Sequence, residues 1–142
     1  MNFPRVAMAA LAAWVVYLGL SYLVHGLLLA DHYAQHANMR PAAEQQAILP
    51  FGLAFALVGF FAFAYTYAKG YEGSSGMQEG LRFGVLVGIL ICTFSITFQY
   101  MAWPVSTSLF VAWLVDYIVE FAIYGVIVGT VYKPHRPRHT PR

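Results

Sequence analysis

Four apolar runs, at about 6–30, 48–68, 81–102 and 108–132, take up most of this 142-residue chain and leave it few ways to fold. Each has the length of about 20 residues that a helix needs to cross a hydrocarbon core of about 30 Å. No water is available there to satisfy backbone amides, so each run must pair its own N–H and C=O groups and is helical. The composition agrees: 60% of the residues are hydrophobic and only 10% are charged. A water-soluble domain carries about 25% charged residues. The expected fold class is therefore an all-α membrane protein, a bundle of four transmembrane helices in one domain over 1–132. A basic, proline-rich and disordered tail is expected over 133–142.

The first run begins behind a weakly basic start, Met1-Asn2-Phe3-Pro4-Arg5. It is longer than the apolar core of a signal peptide and has no small-x-small site before Asp31, so it reads as a permanent helix. The connections are polar or breaker-rich. Residues 31–46 contain Pro41, residues 70–76 are glycine and serine apart from Tyr71 and Glu72, and Trp103-Pro104-Val105-Ser106 is a tight turn. The single cysteine, Cys92, makes neither a disulfide nor a metal motif and reads as a small buried or lipid-facing residue. A net charge of +2 with no basic cluster among aromatics gives no reason to expect nucleic acid.

Lysine and arginine set the orientation. Arg5, Lys69, Arg82, Lys133, Arg136, Arg138 and Arg142 fall on one side of a four-helix layout, and Arg40 alone falls on the other. The positive-inside rule then predicts that both termini and the glycine/serine loop are cytoplasmic. The expected location is a bacterial inner membrane, crossed several times.

Glycines mark a packing face. Gly80, Gly84 and Gly88 recur every four residues at the start of the third run, and Gly125 and Gly129 do so near the end of the fourth. Small residues at this spacing let two helix backbones approach closely. They predict either a clasp between helices three and four of one chain or a seam between two copies.

Acidic residues mark a candidate site. Asp116 and Glu120 lie near the middle of the fourth run. An acid at a helix centre costs about 2.5–3.5 kcal/mol on insertion scales. A separation of four places both on one face, with Tyr124 one turn beyond Glu120 and Trp113 just before Asp116. Two carboxylates this close resist ionising together, and a proton- or cation-binding site is commonly built this way. The alternative is structural: protonated acids, or acids bonded to Thr93, Ser95, Thr97 and Gln99 of the third run. His25 lies inside the first run at a depth that an antiparallel fourth helix matches near Asp116. A His25–Asp116 pair would lower the cost of both and carry a proton. At the outer end of the first helix, Asp31, His32 and His36 form a sparser set, with the two histidines four apart. Imidazole and carboxylate suit a transition metal, against the plainer reading of a helix end meeting water.

Several motifs resemble a group of uncharacterised bacterial four-helix membrane proteins, a DUF1761-like domain of unknown function. They are His25-Gly26 near the end of helix one, Gly80-Leu81-Arg82-Phe83-Gly84 opening helix three, and Trp113-Leu114-Val115-Asp116-Tyr117 in helix four. The resemblance implies the four-helix plan and an acid in helix four, and no reaction; Glu120 has no counterpart in its pattern.

No nucleophile stands beside a base at motif spacing and no glycine loop cradles a phosphate, so neither an enzyme nor a cofactor is expected. The functional expectation is binding or translocation of a proton, cation or small solute through the acidic pair. The alternative is an accessory subunit of a larger membrane complex. The expected partners are the bilayer and either further copies of the chain or another membrane subunit.

Overall fold

The computed structural model describes residues 1–35 and 40–134. Among them there is no strand, and four helices are long and apolar enough to cross a membrane: α1 (Phe3–Leu28), α2 (Ala42–Lys69), α3 (Gly76–Ala102) and α4 (Thr107–Val131). This is the all-α membrane bundle that the apolar runs predict.

Local chemistry sets the helix ends. The Asn2 side chain accepts the Arg5 amide at 3.4 Å and caps α1, and Pro4 sits in the first turn, where its missing N–H is not needed. Ser106 caps α4 by accepting the Leu109 amide at 3.2 Å. Helix α2 starts at Ala42, immediately after Pro41, rather than near Ile48. Its first turns are polar, so they look like loop in the sequence although the backbone is already helical. Pro50 lies within α2 without ending it. Two stretches are wound more widely, as π-helix: Tyr22–Leu28 at the end of α1, and Cys92–Ile96 within α3.

The 70–75 loop is held by a residue that the hydrophobic pattern does not single out. Glu79, buried in the first turn of α3, accepts the amides of Glu72 (2.7 Å) and Ser74 (3.2 Å) and the Ser74 hydroxyl (2.9 Å). Three donors on one carboxylate account for a charge in that position. The N-terminus and the residues that follow α4 meet beside this loop, where the Asn2 side-chain amide donates to the Lys133 carbonyl at 3.2 Å. This end of the bundle is called the terminal end below.

The helices pack in the order α2–α1–α4–α3, with α3 on α4 the most extensive pairing. The glycine stripes meet inside one chain. A Cβ added to Gly80 would run into the Gly125 carbonyl oxygen, one on Gly84 into that of Phe121, and one on Gly129 into that of Gly76. A Cβ on Gly88 would come within 3.0 Å of Ile118 Cα. The stripe thus begins one turn earlier than its sequence reading, at Gly76. On α1, Ala9, Ala10 and Ala13 are fully buried against a core that includes Phe60, Phe63, Ala64, Tyr67, Tyr124 and Val128. A second cluster, Leu29, Ile96, Leu109 and Trp113, fills the opposite end. The outer surface is apolar: Phe94 is 76% exposed and Met101 79%. Such a surface is stable against lipid tails and costly in water.

The glycine clasp yields a first prediction. Gly84→Ala should destabilise the protein by about 1–3 kcal/mol in reversible unfolding from mixed micelles, because the obstacle is backbone and cannot rotate away. Gly52→Ala, where a Cβ meets nothing within 4 Å, should leave stability unchanged or slightly raised.

Candidate functional site

The polar residues inside the bundle form two linked groups. The first lies toward the opposite end. His25 Nε2 is 3.5 Å from Asp116 Oδ2, and His25 Nδ1 is 2.7 Å from the Tyr33 hydroxyl. That hydroxyl also accepts the Trp113 indole N–H at 2.9 Å. Because Tyr33 accepts from Trp113, its own proton is free to go to His25 Nδ1. This assigns the imidazole proton to Nε2, facing Asp116. The Tyr33 phenol is pushed above its ordinary range chiefly by burial, with the Trp113 hydrogen bond pulling the other way and the Asp116 charge adding to the rise. Tyr33 therefore stays a neutral donor. The gap between His25 and Asp116 is too long for a strong hydrogen bond. Asp116 Oδ2 accordingly has no hydrogen-bond partner among the described residues, although its side chain is only 9% exposed.

The second group sits one turn farther along α4. Glu120 is 7% exposed. Its Oε2 accepts the Tyr124 hydroxyl at 2.7 Å, while Oε1 is buried with no partner among the described residues. An unpaired buried polar atom costs about 1–3 kcal/mol, and more when charged.

These groups border a cavity of about 670 Å³ between the four helices. Glu120, Tyr117 and Tyr124 line it from α4, and His25, Ser21 and Tyr17 line it from α1. Asp116 is not in the lining; it connects to the cavity through His25. Around Glu120 the walls are aromatic. Phe60 packs edge-on against Tyr124 at 5.0 Å between ring centres, Tyr17 lies 5.4 Å from Phe60, and Phe121 lies 5.7 Å from Tyr124.

Helix architecture explains this placement. Tyr17, Ser21 and His25 are four apart, so they share one face of α1. That spacing was open to sequence reading, but Tyr17 and Ser21 carry no charge and did not stand out. The wide turn at Tyr22–Leu28 contains His25, and such bulges recur at functional sites. Tyr33 was outside the apolar run, and nothing local ties it to Trp113.

The other sequence-derived residues sit elsewhere. The polar groups of α3 do not reach the acids. Thr93 donates to its own Ile89 carbonyl (2.9 Å), Thr97 to that of Cys92 (2.9 Å), and Gln99 to Ser95 (3.1 Å). Threonine hydroxyls in apolar helices commonly turn back in this way. Asp31 and His32 are exposed, His36 lies outside the described residues, and no group of three or more metal ligands forms among the described residues.

No family model, curated protein or solved structure matches the chain.

The Trp113–Tyr33–His25 chain can be tested by a double-mutant cycle on unfolding free energy. Tyr33→Phe and Trp113→Phe should be coupled by about 0.5–3 kcal/mol. Strictly additive effects would contradict the shared hydroxyl.

Proposed function

We propose that this multi-pass membrane protein binds a proton together with a cation or small cationic solute at Glu120 and the His25–Asp116 pair. One observation carries this reading. Two carboxylate oxygens, Asp116 Oδ2 and Glu120 Oε1, are buried mid-bundle without hydrogen-bond partners among the described residues, and Glu120 lines a cavity. A carboxylate needed only for folding would be expected to have its donors nearby, as Glu79 has from Glu72 and Ser74. Ionisable groups inside a membrane commonly mark ion paths and proton relays.

The division of labour follows from the geometry. Glu120 is the binding carboxylate, because it faces the cavity. His25 lies between cavity and Asp116, so it passes a proton between them, and Tyr33 fixes the ring. Asp116 holds the countercharge. Four helices are few for a complete path, so transport rests on further copies of the chain. The basic residues gathered at the terminal end (Arg5, Lys69, Arg82 and Lys133) support a cytoplasmic assignment for that end. An accessory subunit would be expected to offer its glycine stripes to a partner helix as contact surfaces. Those stripes are occupied within the chain, which favours the binding reading.

Reconstituted into liposomes, the wild-type chain should carry proton or monovalent-cation flux, and Asp116→Asn/Glu120→Gln should abolish it while remaining folded. Flux undiminished in the double variant, or none in the wild type, would count against the proposal.

A further inference from the structure

The cavity has an opening that an ion does not need. Its walls come from all four helices and most from α2, and α2 and α3 are not packed closely along their length: α2 leans on α1 and α3 is clasped to α4. The two meet through aromatic side chains toward the terminal end, where Phe63 and Phe83 lie 4.7 Å apart between ring centres. On either side of that contact, Gly59, Ala62 and Thr66 of α2 line the cavity and are also exposed. They recur at helical spacing on one face, so together they form a lip of small residues. In a bilayer this lip faces lipid. The terminal end is closed by Tyr67, Tyr71 and Tyr132, whose rings pack edge to face at 5.7–6.1 Å.

The chemistry of the interior narrows what enters from lipid. A cavity of about 670 Å³ is large for a bare cation; it lies within the range of about 300–1,000 Å³ typical of small-molecule sites. Its walls are mainly apolar and aromatic. Among the lining residues the only ionisable groups besides tyrosines are Glu120 and His25. The buried and unpaired Oε1 of Glu120 calls for a donor. No lysine or arginine lines the cavity to receive an anionic head. Phe60, Phe121 and Tyr124 line the same cavity as the carboxylate, and aromatic ring faces stabilise a desolvated cation.

We propose that the cavity is a lateral binding site for a lipophilic amine, which enters from the bilayer between α2 and α3 and sets its protonated nitrogen against Glu120, with its apolar body among the aromatic walls. No covalent step is involved. The proposal rests on reading the acidic site as a binding site, and it names the ligand class.

The test uses the full chain in nanodiscs and a decylamine that carries a photoreactive diazirine. Labelling should saturate and map to the peptides around Gly59 and around Glu120. Excess decylamine should compete, whereas decanoate and decanol should not. Glu120→Gln should reduce labelling at sub-saturating probe by about tenfold, the loss of one charge-assisted hydrogen bond. Gly59→Leu leaves the acids untouched and meets no atom within 4 Å at its Cβ, so it should fold and reduce labelling by narrowing the lip. Labelling that never saturates, or that persists unchanged in both variants, would overturn the site. Equal competition by decanol would overturn the amine assignment in favour of a neutral hydroxyl. The two readings separate cleanly. Cation flux without amine labelling defeats this inference alone. Saturable amine labelling without flux defeats the ion-flux reading and leaves this one standing.

Discussion

The close approach of α3 and α4 governs the rest of the molecule. Backbone meets backbone along Gly76, Gly80, Gly84, Gly125 and Gly129, with no room for a single methyl group at any of them. In lipid there is little hydrophobic drive for helices to associate, so contact of this kind is a main source of packing energy. It also fixes rotation. With Gly125, Gly129 and Phe121 committed to α3, a helix of 3.6 residues per turn must send Asp116 and Glu120 away from that contact, toward α1 and the cavity. The position of the acids thus follows from where the glycines are.

Once there, the acids are treated differently. Asp116 faces an imidazole N–H that Tyr33 and Trp113 hold in place, so its partner is built into the fold. Glu120 has one tyrosine and a free oxygen beside empty space. The contrast with Glu79 is instructive. Glu79 and Glu120 are both buried, yet only Glu79 is saturated with donors. A fold able to satisfy Glu79 this fully has left Glu120 half satisfied, as a binding group awaiting a donor would be.

Much of this was legible in the sequence, for identifiable reasons. The four helices announce themselves because a lipid-spanning segment has to be long and apolar. Asp116, Glu120 and His25 stand out because charge is costly in such segments, and the glycine stripes stand out because their spacing is regular. What was hidden depends on tertiary contact or backbone geometry. The wide turns at Tyr22–Leu28 and Cys92–Ile96 have no side-chain pattern. Tyr33 reaches Trp113 only because the chain reverses between them. The start of α2 was obscured because Glu44, Gln45 and Gln46 look like loop residues while Pro41 already opens a helix. The α3 hydroxyls offered plausible partners for the acids, but bonds within their own helix and exposure to lipid keep them away. The cavity itself is invisible in sequence, since it arises from how α2 and α3 splay.

The central claim is that Glu120 is kept for binding rather than for folding. The most direct measurement is the unfolding midpoint of Glu120→Gln in mixed micelles without added ligand. Glutamine still accepts from Tyr124 but cannot ionise, so it removes the buried charge and keeps the tyrosine bond. The account predicts a midpoint equal to or above that of the wild type, since functional groups are commonly retained at some expense of stability. A fall of about 2–4 °C, the equivalent of about 1 kcal/mol in a domain of about this size, would contradict it and make Glu120 a structural residue.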